Sequence, residues 1–189
     1  LVLVDPGYQD GFHGFLEECH KRDLVVCIGE NRKNFGINIK SYTSFISKFL
    51  SRSALWIPSY NQLKKILIEN KISDIHVIGE PTYLSVFICC LIKNFNKNLN
   101  LQISCRTAQN MQFTLPFPFN FVLAFSRKNE VKVFPVSRLS KKYAKDVYKI
   151  GILDVLPNGV PDEFFRNQTQ HLERNTILFV GSFLERKGI

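Results

Sequence analysis

The residue best placed to do chemistry is Lys187, in the run Ile177-Leu178-Phe179-Val180-Gly181-Ser182-Phe183-Leu184-Glu185-Arg186-Lys187-Gly188. Thr176 to Val180 reads as an apolar strand that stops at a glycine, and the loop behind it opens toward a helix. Such a junction aims backbone N–H groups and the positive end of a helix dipole at one spot, so a phosphate fits there and Lys187 matches its charge. Gly181 lets the backbone approach closely, and Arg186 stands beside the lysine. A second set lies earlier in the chain. Gly79-Glu80-Pro81 follows the strand expected over 75–78, and Gln109-Asn110 follows the strand expected over 101–105. Glu80 can accept hydrogen bonds from ligand hydroxyls or act as a general base, whereas the amides can only orient a ligand by donating and accepting. Each has a plainer alternative: Glu80 as a helix cap, Gln109 and Asn110 as loop caps.

The elements that position these residues alternate in type. Leu1 to Val4 is an apolar strand broken by Asp5-Pro6-Gly7, whose loop runs through Gly11 and Gly14 to a helix over 12–22 and a strand over 24–28. That is a βαβ unit with a right-handed crossover, and Gly7 would let a ligand come close. Tyr42, Phe45, Ile46 and Phe49 keep helical spacing. Over 62–71 Leu63, Ile66 and Leu67 fall on one helical face, with Lys64 and Lys65 on the other. Pro81 is expected in the first turn of a helix over 83–95, apolar nearly all round and therefore packed inside, with Cys89 and Cys90 in the core. A helix over 120–126 and a strand over 131–136 follow. Ser137 then caps a helix to about Ile150, with Leu139, Tyr143, Val147 and Ile150 inward and Arg138, Lys142, Lys145 and Lys149 as an outer basic stripe. Asp154 to Leu156 is an exit strand ended by Pro157-Asn158-Gly159. In sum, the alternation predicts an α/β fold with a doubly wound parallel sheet of five or six strands.

Charge narrows the partners. The net charge is +9, and residues 101–150 hold nine Lys and Arg against two Asp and Glu. A local basic excess calls for an anionic neighbour, so the stripe on the last helix is expected either to be a solvated face or to meet an anionic membrane surface or acceptor. Five cysteines without a C-x-x-C pair and four scattered histidines predict no metal site and no disulfide framework, and suit a reducing cytoplasm. The sequence has no apolar run of membrane-spanning length. It starts at leucine and stops just inside a βα unit, so the expectation is a piece of a longer protein.

Two segments together carry a family resemblance. Asn158-Gly159-Val160 with Phe165, then Val180-Gly181 with Lys187-Gly188, resembles the domain crossover of family 4 glycosyltransferases of the two-Rossmann-domain, or GT-B, type. Gly79-Glu80-Pro81, Gln109-Asn110 and Leu115-Pro116-Phe117-Pro118-Phe119 are similar to one branch of that family; other branches carry a histidine near the Gln109 position. Ser182 departs from the pattern, which commonly has an arginine there, and Arg186 is the candidate replacement. The resemblance implies a Rossmann-like acceptor-binding domain over 1–165, a linker over 166–175 and, over 176–189, the start of a nucleotide-sugar-binding domain. It implies sugar transfer from a nucleotide-diphosphate sugar to a saccharide or lipid-linked acceptor, with retention and without a metal. The nucleotide sugar is then a co-substrate, no other cofactor is expected, and neither is nucleic acid. Residue by residue, the catalytic set is Gln109, Asn110 and Glu80. The donor set is Lys187, Gly181 and Arg186, and the acceptor set is Gly7, Glu80 and Pro81. The expected place is the cytoplasm, from the cysteine usage, with the inner face of the membrane as the alternative that the basic stripe leaves open. Two other readings stay open: a noncatalytic Rossmann-like binding domain, and a nucleotide-sugar epimerase of the same two-domain design.

Overall fold

Strand alternation in the first residues already fixes two faces. In a computed structural model, which describes residues 1–4, 13–29, 36–43, 56–105 and 117–157, β1 (Val2–Val4) sends Leu3 to one side and Val2 and Val4 to the other. β2 (Val25–Ile28) repeats the pattern, with Val26 and Ile28 joining Leu3 while Val25 and Cys27 join Val2 and Val4. Both strands are buried throughout, as expected for a parallel sheet covered on both faces. Helix α1 (His13–Arg22) covers the second face through Leu16. Helices α2 (Tyr60–Glu69) and α3 (Leu84–Phe95) cover the first through Leu63, Leu67, Val86, Cys89 and Cys90.

Among the described residues, seven strands form the main sheet. With β3 (Ile37–Ile39), β6 (Asp74–Ile78), β7 (Asn100–Cys105), β8 (Lys132–Pro135) and β9 (Gly151–Ile152), the order is β3-β2-β1-β6-β7-β8-β9, and every neighbouring pair is parallel. The chain winds outward from β1 to β3, returns to the centre and winds outward again from β6 to β9. The reversal lies between β1 and β6, where Val4 pairs with Ile78. A separate antiparallel ribbon joins β4 (Ser41–Thr43) and β5 (Trp56–Pro58). Helices α4 (Phe119–Lys128) and α5 (Arg138–Tyr143) complete the described elements, with a single π-helical stretch over Ala144–Tyr148.

Several expectations change. Tyr42 belongs to the ribbon and not to a helix; residues 45, 46 and 49 lie outside the described residues. β3 was not anticipated because only Ile39 of its three residues is buried, which leaves no alternation to detect. It follows Gly36 at φ 53, a conformation that favours glycine, and a Cβ there would run into the Val25 carbonyl. The exit strand comes earlier than expected, at Gly151–Ile152; residues 153–157 stay beside β8 through Leu153 N to Val133 O (2.8 Å) and Leu156 N to Pro135 O (2.9 Å). By contact density the chain divides into units Leu1–Gly159 and Val160–Ile189, and the described residues all belong to the first.

Candidate functional site

Glu80 stands just past β6, at the sheet edge where doubly wound folds bind their ligands and beside the point where strand order reverses. The Tyr83 N–H donates to the Glu80 carbonyl at 3.0 Å, closing a turn with Pro81 in its second position, the place that suits proline. Pro81 therefore lies in a turn ahead of α3, whose N-cap is Tyr83, and not in the helix's first turn. The Ser126 hydroxyl, fully buried on α4, donates to the Pro81 carbonyl at 2.9 Å and ties the turn to the next helix. The Glu80 side chain reaches β7 and the last helix. Its carboxylate, 4% exposed, accepts from the Cys105 thiol at 3.0 Å and from the Tyr148 hydroxyl at 3.3 Å. A buried carboxylate is tolerated only with such donors, because desolvation without them costs several kcal/mol.

Tyr148 reaches Glu80 because the last helix changes pitch. After α5 the backbone takes i to i+5 bonding, seen in Lys149 N to Ala144 O at 2.9 Å, and Lys149 ends it in the left-handed conformation at φ 49. Arg127 on α4 holds that end, its Nε donating to the Tyr148 carbonyl at 2.7 Å and its Nη2 to the Val147 carbonyl at 3.3 Å. The buried positions are Ser140, Ala144, Tyr148 and Ile150; of the expected inner stripe, Tyr143 and Val147 are half-buried against the same cluster and Ile150 is buried, whereas Leu139 is 56% exposed. Such π-bulges occur often at functional sites. Tyr143 stands edge-on to Tyr148, ring centroids 5.1 Å apart. Burial first, then the Glu80 charge and Cys105, push the Tyr143 phenol above its usual range, so it keeps its proton.

Cys105 ends β7, directly ahead of Arg106-Thr107-Ala108-Gln109-Asn110, so its bond to Glu80 joins the starting points of two loops expected to carry the site. Gly7, Gln109, Asn110, Gly181, Arg186 and Lys187 lie outside the described residues. The basic stripe is exposed, but it is not one helical row: Arg138 and Lys142 are on α5, Lys145 is in the π turn, and Lys149 is beyond it. Sequence reasoning missed Cys105, Tyr143, Tyr148 and Arg127. Cys105 carried a signal, as a polarisable group at the ligand-side end of an otherwise apolar strand. Tyr148 carried none, since a helical period of 3.6 aims it away from the core.

Behind the site, on β6, His76 bonds with the Ser104 hydroxyl at 2.7 Å and packs 5.8 Å from the Phe134 ring. Burial lowers its pKa to about 4 against a smaller opposing hydrogen bond with Gln102, so the imidazole is neutral near pH 7. Cys89 and Cys90 are fully buried as expected, and the five cysteines form no disulfide. Among the described residues no cluster of three or more His, Cys, Asp or Glu could hold a metal ion, and no helix is long and apolar enough to cross a membrane.

A parallel sheet clad by helices on both faces, with its polar cluster at the reversal of strand order, defines a Rossmann-like doubly wound α/β domain. The fold is similar to that of a glycosyltransferase from Rickettsia africae ESF-5, with a TM-score of 0.57 at 15% identity, over 90% of this chain and 45% of that one. The chain thus spans less than half the length of that protein, and at this identity the likeness speaks for the fold. A dTDP-glucose 4,6-dehydratase from Bacillus anthracis in complex with NAD matches more loosely, with a TM-score of 0.39 at 10% identity over 71% of this chain and 53% of that one, and carries no weight. No protein-family model and no curated protein matches the sequence.

Proposed function

We propose that this chain is the acceptor-side, Rossmann-like part of a family 4, GT-B-type glycosyltransferase that moves a sugar from a nucleotide-diphosphate sugar to a saccharide or lipid-linked acceptor, with retention and without a metal. The observation that supports it most is the adjacency of β1, β6 and β7, which start the loops of Gly7, Glu80 and Gln109 from neighbouring positions on one edge. Loops far apart in sequence thereby share one crevice, which suits an acceptor held from several sides. In this reading Gln109 and Asn110 orient the transferred sugar. Glu80 acts from beneath, through Cys105 and the turn at Pro81, and Lys187 with Gly181 and Arg186 offsets the charge that develops on the leaving diphosphate. Such transition-state donors are typically worth about a hundredfold or more in turnover.

The test uses the longer protein that includes a complete second domain. Lys187→Ala should weaken nucleoside diphosphate binding at least tenfold by calorimetry, and Gln109→Ala should lower turnover by more than tenfold with the melting temperature unchanged. Unaltered affinity together with wild-type turnover would overturn the proposal. The internal bonding of Glu80 favours one second reading, a Rossmann-like binding domain without catalysis, for which both variants would bind and behave as wild type.

A further inference from the structure

At the opposite edge of the sheet, where the chain enters β6 and β7, a groove of about 500 Å³ lies between α2 and α3. Its floor is apolar: Leu67 and Ile92 are nearly fully buried, with Ile72 beside them. Its rim carries two large apolar side chains turned out to solvent, Ile68 at 66% and Phe95 at 76% exposure. Lys64 and Lys71 also line it, and no carboxylate does. The Lys64 ammonium stands over the Phe95 ring at 5.5 Å and the Tyr60 ring at 5.8 Å, a cation laid along an aromatic rim. The nearby acids are already engaged: Glu69 pairs with Lys65 at 3.7 Å, and the Asp74 carboxylate accepts from Ser73 and Asn100, which lowers its pKa. Lys97, exposed in the loop between Asn96 and Asn98, adds a further positive charge beside the groove.

We infer that this α2–α3 face docks on an anionic lipid bilayer, with Phe95 and Ile68 entering the headgroup and acyl boundary and Lys64 and Lys71 meeting lipid phosphates. Apolar tips ringed by ammonium groups match an interface whose outer layer is negative and whose inner layer is hydrocarbon. A second copy of the chain fits poorly, because two such faces would oppose lysines to lysines. The surface is separate from the basic residues of α5, and the inference does not rest on glycosyl transfer.

Cosedimentation of the 189-residue chain with vesicles tests it, comparing pure phosphatidylcholine with equal parts phosphatidylcholine and phosphatidylserine at low salt. Binding should favour the anionic vesicles by at least tenfold and fall with salt. Lys64→Glu with Lys71→Glu should lower it by more than tenfold, as should Ile68→Ser with Phe95→Ser, with circular dichroism unchanged because Ile68, Lys71 and Phe95 are exposed and Lys64 is only half-buried. Lys142→Glu with Lys145→Glu on the other basic surface should change it less than about twofold. Equal binding to both vesicles would overturn the inference. So would a loss produced only by the Lys142 and Lys145 pair, or a concentration-dependent dimer abolished by the Ile68 and Phe95 pair in protein that leaves vesicles unbound.

Discussion

Replacing His76 by glutamine should flatten the acid side of the stability curve. The imidazole is half-buried beside Ser104, Gln102 and Phe134, and its pKa falls from an ordinary 6.5 to about 4, chiefly through desolvation. The folded chain therefore binds fewer protons than the unfolded chain between these values. Stability is fully present above 6.5 and is lost as pH falls toward 4. Integrating the two titrations from about pH 7.5 to about pH 5 gives a loss of about 2 kcal/mol, and the limit below pH 4 is about 3 kcal/mol. Glutamine keeps an amide to pair with Ser104 and has no proton to gain. Urea unfolding followed by far-ultraviolet circular dichroism at both pH values reads the difference directly, because every other histidine and carboxylate is common to both proteins. Wild type should lose about 2 kcal/mol more than His76→Gln over that interval. Parallel losses would show that His76 does not stay neutral in the folded protein.

Two further expectations concern that site. Tyr148→Phe removes the donor 3.3 Å from Glu80 and should cost about 1.5 kcal/mol, the low end for a bond to a charged group. In a double-mutant cycle with Glu80→Gln the coupling should be about 1 kcal/mol, and additivity would mean that the hydroxyl does not serve the carboxylate. Arg127→Met keeps the side-chain stem but drops both bonds to the carbonyls of Val147 and Tyr148. Hydrogen exchange at the Lys149 amide should then speed up about fivefold or more while the first turn of α5 holds, a change of about 1 kcal/mol in local opening, and unchanged exchange would remove Arg127 as the clamp on the π turn.

The fold was legible where burial dictated residue type. Strands β1, β2, β6, β7 and β8 are apolar runs bounded by breakers, and α2, α3 and α4 carry apolar faces with regular spacing, so period and composition locate them. Ser137 was equally clear, and its hydroxyl does accept from the Ser140 N–H at 3.1 Å. What escaped notice lacks a local signature. β3 and β9 are held in place by neighbouring strands more than by their own residues, of which three are exposed and only Ile39 is buried. The π turn is bonded by Arg127 from across the fold, so a helical wheel drawn on Ser137 to Ile150 places Tyr143, Val147 and Ile150 against the core but misses Tyr148.

The same tertiary override alters what Glu80 can do. Read as sequence, a glutamate after a central strand is a ligand group facing an open crevice. In the folded domain its Oε2 accepts from Cys105 and Tyr148, so the carboxylate is where β6, β7 and the π turn are pinned together. Removing it would take away an acceptor shared by a buried thiol and a buried phenol, a change of about 1 kcal/mol for each bond lost. In the proposed reading its influence on a ligand would run through Cys105, because the residue after Cys105 begins the stretch that ends in Gln109 and Asn110. The carboxylate holds Cys105, the residue from which that stretch starts. For a site built on loops, the starting angle of each loop governs where its polar groups arrive, and a small displacement at the root is carried to the tip. In the glycosyl-transfer reading proposed above, Glu80 therefore supports the crevice from beneath, and Gln109 and Asn110 are the groups that would meet the ligand.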